Sequence, residues 1–149
     1  MELDTLQLDK TITAPGFLGA FPYDQIPTKP GIKLFSLIIN VDSSKLPGSH
    51  WIVLLFKEQQ YYFFDSYGRS FKDITFPAMF TKTIKNYIGS TRFRYNKKLL
   101  QQFTSNVCGE YCVFFIREMT NKTFKSILGL FSDNLIFNDQ LVSNYVNKM

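Results

Sequence analysis

The stretch from Val107 to Met119 constrains the possible fold more than any other part of this sequence. Its residues are apolar on nearly every side of a helical projection. A helix that is hydrophobic all round belongs in the protein interior, because no face of it favours contact with water. We therefore expect a buried central helix around which the other elements pack.

Two short apolar runs, residues 51–56 and 61–64, flank the polar residues 57–60. Apolar runs separated by a short polar turn are typical of a β-hairpin. If the hairpin closes symmetrically, or through a two-residue loop at Glu58-Gln59, Phe56 faces its partner Tyr61. We expect these two adjacent strands to be antiparallel.

The remaining patterns predict a mixture of strands and helices. β-branched and aliphatic residues or alternating side chains indicate strands, and apolar residues three or four apart indicate helices. Further strands are predicted at residues 32–41 and 91–95, and helices at residues 78–87, 126–131 and 139–146. The class is α+β: a small, mostly antiparallel sheet packed against the buried central helix, with flanking helices.

The chain has the length of one domain, residues 1–149. Residues 1–31 carry four of the six prolines, so we expect a largely irregular arm with one short helix. No basic segment followed by an apolar one opens the sequence, which predicts no secretion. The longest clean apolar run, Trp51–Phe56, is too short to span a bilayer, so we expect no membrane association.

Three side chains have the chemistry of a cysteine hydrolase: a thiol, an imidazole and a carboxylate. Cys108 opens the central helix, His50 is the only histidine, and Asp65 ends a predicted strand. In the symmetric hairpin His50 opposes Tyr67, and Asp65 lies two residues away on the same face, within side-chain reach. An odd loop or a bulge would put His50 and Asp65 on opposite faces.

The start of the central helix suits a reactive thiol. Helix N-termini carry partial positive charge and N–H groups that favour a thiolate and can hold an oxyanion. Gln101 or Gln102, upstream of Cys108, could add a side-chain donor, and Gly109 leaves room for a substrate to approach. Cys112, one turn further on, is expected in the core.

The net charge of +5 permits an acidic partner without demonstrating one. One stretch without any acid interleaves basic and aromatic residues, and this could be a DNA-binding surface or simply a solvated face. Its basic residues are Lys82, Lys85, Arg92, Arg94, Lys97 and Lys98.

Short segments in the right order resemble the adenain (adenovirus-protease) branch of the cysteine peptidases, in particular the virophage and Polinton type. The superfamily also holds the SUMO-deconjugating proteases. The segments that carry the resemblance are residues 17–27, 38–42 with 47–51, 63–68, 101–112 and 131–142. The resemblance implies the adenain-like cysteine proteinase fold.

The resemblance also assigns roles to individual residues. It makes Cys108 the nucleophile, His50 the base and Asp65 the orienting acid, where the adenovirus enzyme has a glutamate. Adenain-type spacing points to Gln101 as the oxyanion donor, whereas deconjugase-type spacing points to Gln102. We favour Gln101.

The activity implied is that of a monomeric endopeptidase that cuts virion structural precursors after small residues, commonly glycine, during capsid maturation. Its location would be the virion and the cytoplasm or nucleus of the host cell. The chemistry needs no cofactor or metal, although DNA or a peptide could activate the enzyme. The alternatives are a ubiquitin-like-protein deconjugating protease and a catalytically silent nucleic-acid-binding module.

Overall fold

A computed structural model describes residues 3–46 and 49–149, and in these residues the chain forms one five-stranded sheet with helices on both faces. Pro47 and Gly48, part of one segment compared with adenain, lie outside the described residues, as do Met1 and Glu2. The elements are α1 Thr5–Thr11, β1 Phe17–Pro22, a 3₁₀ turn Tyr23–Gln25, β2 Phe35–Asn40, β3 Trp51–Lys57, β4 Gln60–Phe64, α2 Ala78–Ile88, β5 Phe93–Tyr95, α3 Cys108–Met119, α4 Phe124–Leu128 and α5 Leu135–Asn147.

The strands of the sheet follow one another in chain order, β1-β2-β3-β4-β5. The inner pairs β2/β3 and β3/β4 are antiparallel, whereas β1/β2 and β4/β5 are parallel. The predicted α+β class and the packing of the sheet against helices are confirmed. The sheet is mixed because both edge strands run parallel to their neighbours.

The hairpin of β3 and β4 has the predicted register. Phe56 pairs with Tyr61, and Lys57 pairs with Gln60. The two loop residues, Glu58 and Gln59, have φ of 53° and 65°. Positive φ at both positions matches the twist of the flanking strands, which is why two-residue hairpin loops adopt it.

The predicted central helix is α3, and it packs on β3 in the larger of two apolar cores. Successive strand residues point to opposite faces, so Phe64 joins this core while Phe63 joins the core under α2. Phe64 stacks on Phe115 of α3, with ring centroids 4.3 Å apart. None of the helices in the described part of the chain is long and apolar enough to cross a membrane.

The N-terminal arm, predicted to be largely irregular, contains both α1 and β1. Asp4 and Gln7 form a capping box that begins α1 and satisfies its first N–H groups. The prolines that suggested irregular structure do not interrupt either element, since Pro15 precedes β1 and Pro22 ends it. The arm is therefore part of the packed fold.

Two terminal helices begin earlier than the apolar spacing predicts. The side chain of Thr123 accepts a hydrogen bond from the N–H of Ser126 at the start of α4, and Asn134 accepts one from Phe137 at the start of α5. These N-caps set the helix starts at residues 124 and 135, because a cap satisfies N–H groups that have no partner within the helix.

We expect Gly68→Ala to destabilise the fold more than Gly89→Ala. Gly68 has φ of 76°, and an added Cβ would lie 2.6 Å from the carbonyl carbon of Lys98. Gly89 has φ of 62°, but an added Cβ would meet nothing within 4 Å. Backbone strain alone should cost about 1–3 kcal/mol in Gly89→Ala, and the clash in Gly68→Ala should add about 1–3 kcal/mol. Urea unfolding measures both, and equal losses would contradict the clash.

Candidate active site

The hairpin brings His50 and Asp65 into direct contact. His50 immediately precedes β3, and Asp65 immediately follows β4. His50 Nε2 lies 2.6 Å from Asp65 Oδ1, and the two residues are 7% and 0% exposed. The contact follows from the even hairpin loop, which leaves both side chains on one face as the register predicts.

Cys108 joins this pair from the other side of the imidazole. It is the first residue of α3 and is 9% exposed, and its side chain makes a hydrogen bond with His50. Because Nε2 of His50 faces Asp65, Nδ1 is the ring nitrogen left for the thiol. Cys112 is 1% exposed and lies in the core, as predicted, and burial raises its pKa well above the usual value.

The electrostatics of the pair favour a charged imidazole. Burial on its own would lower the pKa of His50, but the hydrogen bonds and charges of Asp65 and Cys108 outweigh it and raise that pKa to about 9. Burial likewise opposes ionisation of Asp65, but hydrogen bonding to His50 and Arg69 and their charges hold the pKa of the carboxyl below its usual value. The arrangement therefore stabilises an imidazolium next to a carboxylate.

The main chain of Asp65 is held by the side chain of Asn96, which follows β5. The N–H of Asp65 donates to Asn96 Oδ1 at 3.1 Å, and Asn96 Nδ2 donates to the Asp65 carbonyl at 2.6 Å. Asn96 is 1% exposed and extends the parallel pairing of β4 with β5 by one step. Sequence reasoning missed this residue, because its role appears only once β5 is placed beside β4.

Gln101 ties the strand end at Asp65 to the loop that leads to Cys108. Ser66 Oγ donates to Gln101 Oε1 at 2.6 Å, and Gln101 Nε2 donates to Ser105 Oγ at 3.0 Å. The main-chain N–H of Gln101 also donates to the Ser66 carbonyl. Gln101 is 1% exposed, whereas Gln102 is only half-buried. The Gln101 amide is thus fixed in a network.

The expectation that Gly109 leaves room for a substrate is wrong. A Cβ at Gly109 would lie 3.1 Å from Leu3 Cβ and 3.5 Å from Leu8 Cδ2. The space beside this glycine is filled by the N-terminal arm, a contact between distant segments that no local pattern predicts. Gly109 therefore permits close packing of the arm on α3.

The N-cap of α3 is Val107, whose apolar side chain cannot accept a hydrogen bond from the first N–H groups of the helix.

Aromatic rings cover one face of the imidazole. His50 stacks on Tyr67, with ring centroids 4.7 Å apart, and Tyr67 stacks on Phe103 at 5.5 Å. Phe103 is 74% exposed and lies in the loop between Gln101 and Cys108. The stack limits rotation of the imidazole, because a ring flip would meet Tyr67.

One cavity of about 820 Å³ lies beside Trp51, the residue after His50. Trp51 is 9% exposed, and its Nε1 donates to the Leu3 carbonyl at 3.2 Å. Leu3, Asn40 and Leu46 also line the cavity. Across residues 3–46 and 49–149, no group of three or more His, Cys, Asp and Glu side chains is placed to hold a metal ion.

The basic residues predicted as a DNA-binding surface are divided between the two faces of the sheet. Lys82 and Lys85 lie on α2, which packs on one face. Arg94 lies over the ring of Phe124, 5.2 Å from its centroid, on the opposite face. The sheet therefore separates Arg94 from Lys82 and Lys85, and DNA binding stays a prediction.

We expect the free energy of unfolding to fall as pH rises from about 6.5 to 9. A folded pKa of about 9 for His50 means that its contribution is complete below the unfolded value of 6.5 and is lost as pH approaches 9, roughly 3 kcal/mol in all. The lowered pKa of Asp65 acts only at acid pH, where its contribution is lost. Burial raises the pKa of Glu110 from 4.5 to about 7, so the free energy of unfolding also falls between these pH values, and this part of the decline remains in His50→Gln.

Urea unfolding at pH 6, 7.5 and 9 measures this dependence. His50→Gln is the control, because it keeps a polar side chain without the titration. An equally steep alkaline decline in His50→Gln would show that another group is responsible.

The arrangement of sheet and helices places this chain in a fold that proteases use. No protein-family model and no curated protein matches the sequence. One solved structure that matches is the crystal structure of ASFV pS273R protease, with a TM-score of 0.55 and 17% identity over 85% of this chain and 61% of that one. The crystal structure of the Se-Met form of that protease matches with a TM-score of 0.44 and 18% identity, over 86% of this chain and 47% of the protease chain. The first match shows a shared fold, and the chain spans 61% of that protease's length.

Proposed function

We propose that this protein is a cysteine endopeptidase with Cys108, His50 and Asp65 as its catalytic triad. One observation carries the proposal: a single buried imidazole contacts a carboxylate at 2.6 Å and a helix-terminal thiol with its other side. This is the order of contacts that nucleophilic catalysis by cysteine requires. The fold shared with a solved protease supports the same conclusion.

The proposed reaction uses each side chain in turn. Before substrate binds, His50 already holds the thiol proton of Cys108, and the thiolate then attacks the carbonyl carbon of the scissile peptide bond. Gln101 Nε2 and the Cys108 N–H hold the resulting oxyanion. The C–N bond then breaks as His50 returns the proton to the leaving amine. Water, deprotonated by His50, hydrolyses the thioester, while Asp65 keeps the imidazole oriented and stabilises its charged form.

The substrate class we propose is a virion structural precursor, cleaved after small residues such as glycine. The resemblance to adenain-like enzymes supports it. By the same resemblance, the enzyme would act within the virion or the infected cell.

A peptide library tests this function directly. The protein is incubated with proteome-derived peptides, and new termini are read by mass spectrometry. We expect cleavage after small residues, and none with protein alkylated by iodoacetamide beforehand. Cleavage that survives alkylation of Cys108, or no cleavage by the untreated protein, would contradict the proposal.

Two further probes separate the alternatives. A ubiquitin-like vinyl sulfone should leave Cys108 unlabelled, and rapid labelling would instead identify a deconjugating protease. Iodoacetamide should alkylate Cys108 faster than free cysteine at pH 7, because His50 contacts the thiol and can take its proton. A rate no faster than that of free cysteine, unchanged in His50→Gln, would identify a catalytically silent fold.

A further inference from the structure

Arg69 holds the side of Asp65 that faces away from the imidazole. Its Nε donates to Asp65 Oδ2 at 2.7 Å, and its main-chain N–H donates to the same oxygen at 3.3 Å. The other oxygen, Oδ1, accepts from His50 Nε2 and from the N–H of Tyr67. The carboxylate is thus divided, with one oxygen for the imidazole and one for the guanidinium.

The guanidinium of Arg69 is itself fixed in place. Its central carbon lies 4.0 Å from the ring centroid of Phe76, and its Nη1 donates to Thr75 Oγ1 at 3.1 Å. Thr75 in turn donates to Asp73. The Arg69 side chain is 23% exposed, while Asp65 is fully buried. A planar cation held by a ring, a hydroxyl and a buried carboxylate has little freedom to turn away.

Few other charges act on the Asp65 carboxylate. Among the described residues, the titratable groups that interact with it electrostatically include His50, Tyr67, Asp73 and Cys112, while Cys108 contacts the imidazole instead. Arg69 is the permanent cation in direct contact with it. The charge of the carboxylate is therefore shared between a fixed cation and an imidazole that gains and loses its proton.

We propose that Arg69 is a positioning residue of the reaction: it fixes Oδ2 of Asp65 and takes part of the carboxylate's charge, so that His50 can give its proton to the leaving amine. This inference rests on the proposed function. Without the cation, the full charge of a buried carboxylate would act on His50 and hold the proton there more tightly. Expulsion of a poor leaving group, the amine, would then slow.

NMR titration of the one histidine tests the inference without a substrate. In Arg69→Gln the main-chain N–H groups and the new amide still hold the carboxylate, but the charge is gone. We expect the His50 midpoint to rise by about one pH unit, while in Arg69→Lys, which keeps the charge, it stays near the wild-type value. A midpoint that is unchanged or lower in folded Arg69→Gln would overturn the inference.

A double variant shows whether Arg69 acts through Asp65. In an Asp65→Asn background, Arg69→Gln should leave the His50 midpoint unchanged, because the charge that Arg69 shares is gone. If Arg69→Gln alone fails to fold, Arg69→Met, which keeps the length of the side chain without its charge, is titrated in its place. A shift in that background would mean that Arg69 acts by another route, contrary to the inference.

With active enzyme, Arg69→Gln should lower kcat for a peptide about threefold to tenfold, with KM and ester hydrolysis little changed. If no variant cleaves peptide, the proposed function fails, while the NMR result still decides the role of Arg69.

Discussion

Replacing Cys108 with alanine should abolish peptide hydrolysis, with a fall in kcat of about 10⁴-fold or more. The substitution removes the attacking atom and leaves the rest of the site in place. Cys108 is 9% exposed, at the edge of the core, so the variant should remain folded. Initial rates on the best peptide from the library measure the loss, and circular dichroism verifies the fold.

Cys112→Ala is the matched control for this substitution. Cys112 lies one helical turn further along α3 and is more deeply buried, at 1% exposed. Its truncation should therefore cost at least as much stability as that of Cys108, about 1 kcal/mol, yet leave kcat close to that of the wild type. Activity in Cys108→Ala, or an equal loss in both variants, would show that the nucleophile has been wrongly assigned.

Replacing Gln101 with alanine should lower kcat about 10²- to 10³-fold, the usual cost of removing one oxyanion donor. Stability should fall as well, by about 1–3 kcal/mol, because Ser66 and Ser105 lose a buried partner. KM should change little, because the donor acts mainly on the transition state. Steady-state kinetics and urea unfolding separate the two effects.

Gln101→Glu separates the donor role from the structural one. A glutamate at this position can still accept from Ser66 Oγ, but it has no N–H for the oxyanion and carries a like charge. It should therefore lose at least as much activity as Gln101→Ala. Gln102→Ala is the positional control and should keep kcat within about threefold of the wild type. If Gln102→Ala were inactive and Gln101→Ala active, the oxyanion donor would be Gln102, as deconjugase-type spacing implies.

The parts of the site that the sequence predicts are those governed by local periodicity. The parity of the hairpin loop puts His50 and Asp65 on one face, and the apolar stretch after Cys108 defines α3. These features depend on neighbours in the chain, so a pattern reveals them. The contact of Cys108 with His50 required the tertiary packing of α3 on β3.

The features that sequence reasoning missed depend on contacts between distant segments. Asn96 holds Asp65 only because β5 runs parallel to β4, and parallel pairing leaves no turn signal in the chain. Leu3 and Leu8 fill the space at Gly109 because the N-terminal arm folds back over α3. In the sequence, Arg69 resembles any other basic residue of a loop. Only its contact with the buried Asp65 carboxylate indicates a role in the site.

The loop at Glu58-Gln59 closes the hairpin at the end opposite the site, roughly 20 Å along β3. Adding or deleting one residue there would reverse the orientation of every side chain in β4, and Asp65 would turn away from the imidazole although no residue near it had changed. Two added residues would leave the orientation intact. Homologous chains should therefore differ at this tip by even numbers of residues, and an epitope or linker inserted there should likewise contain an even number of residues.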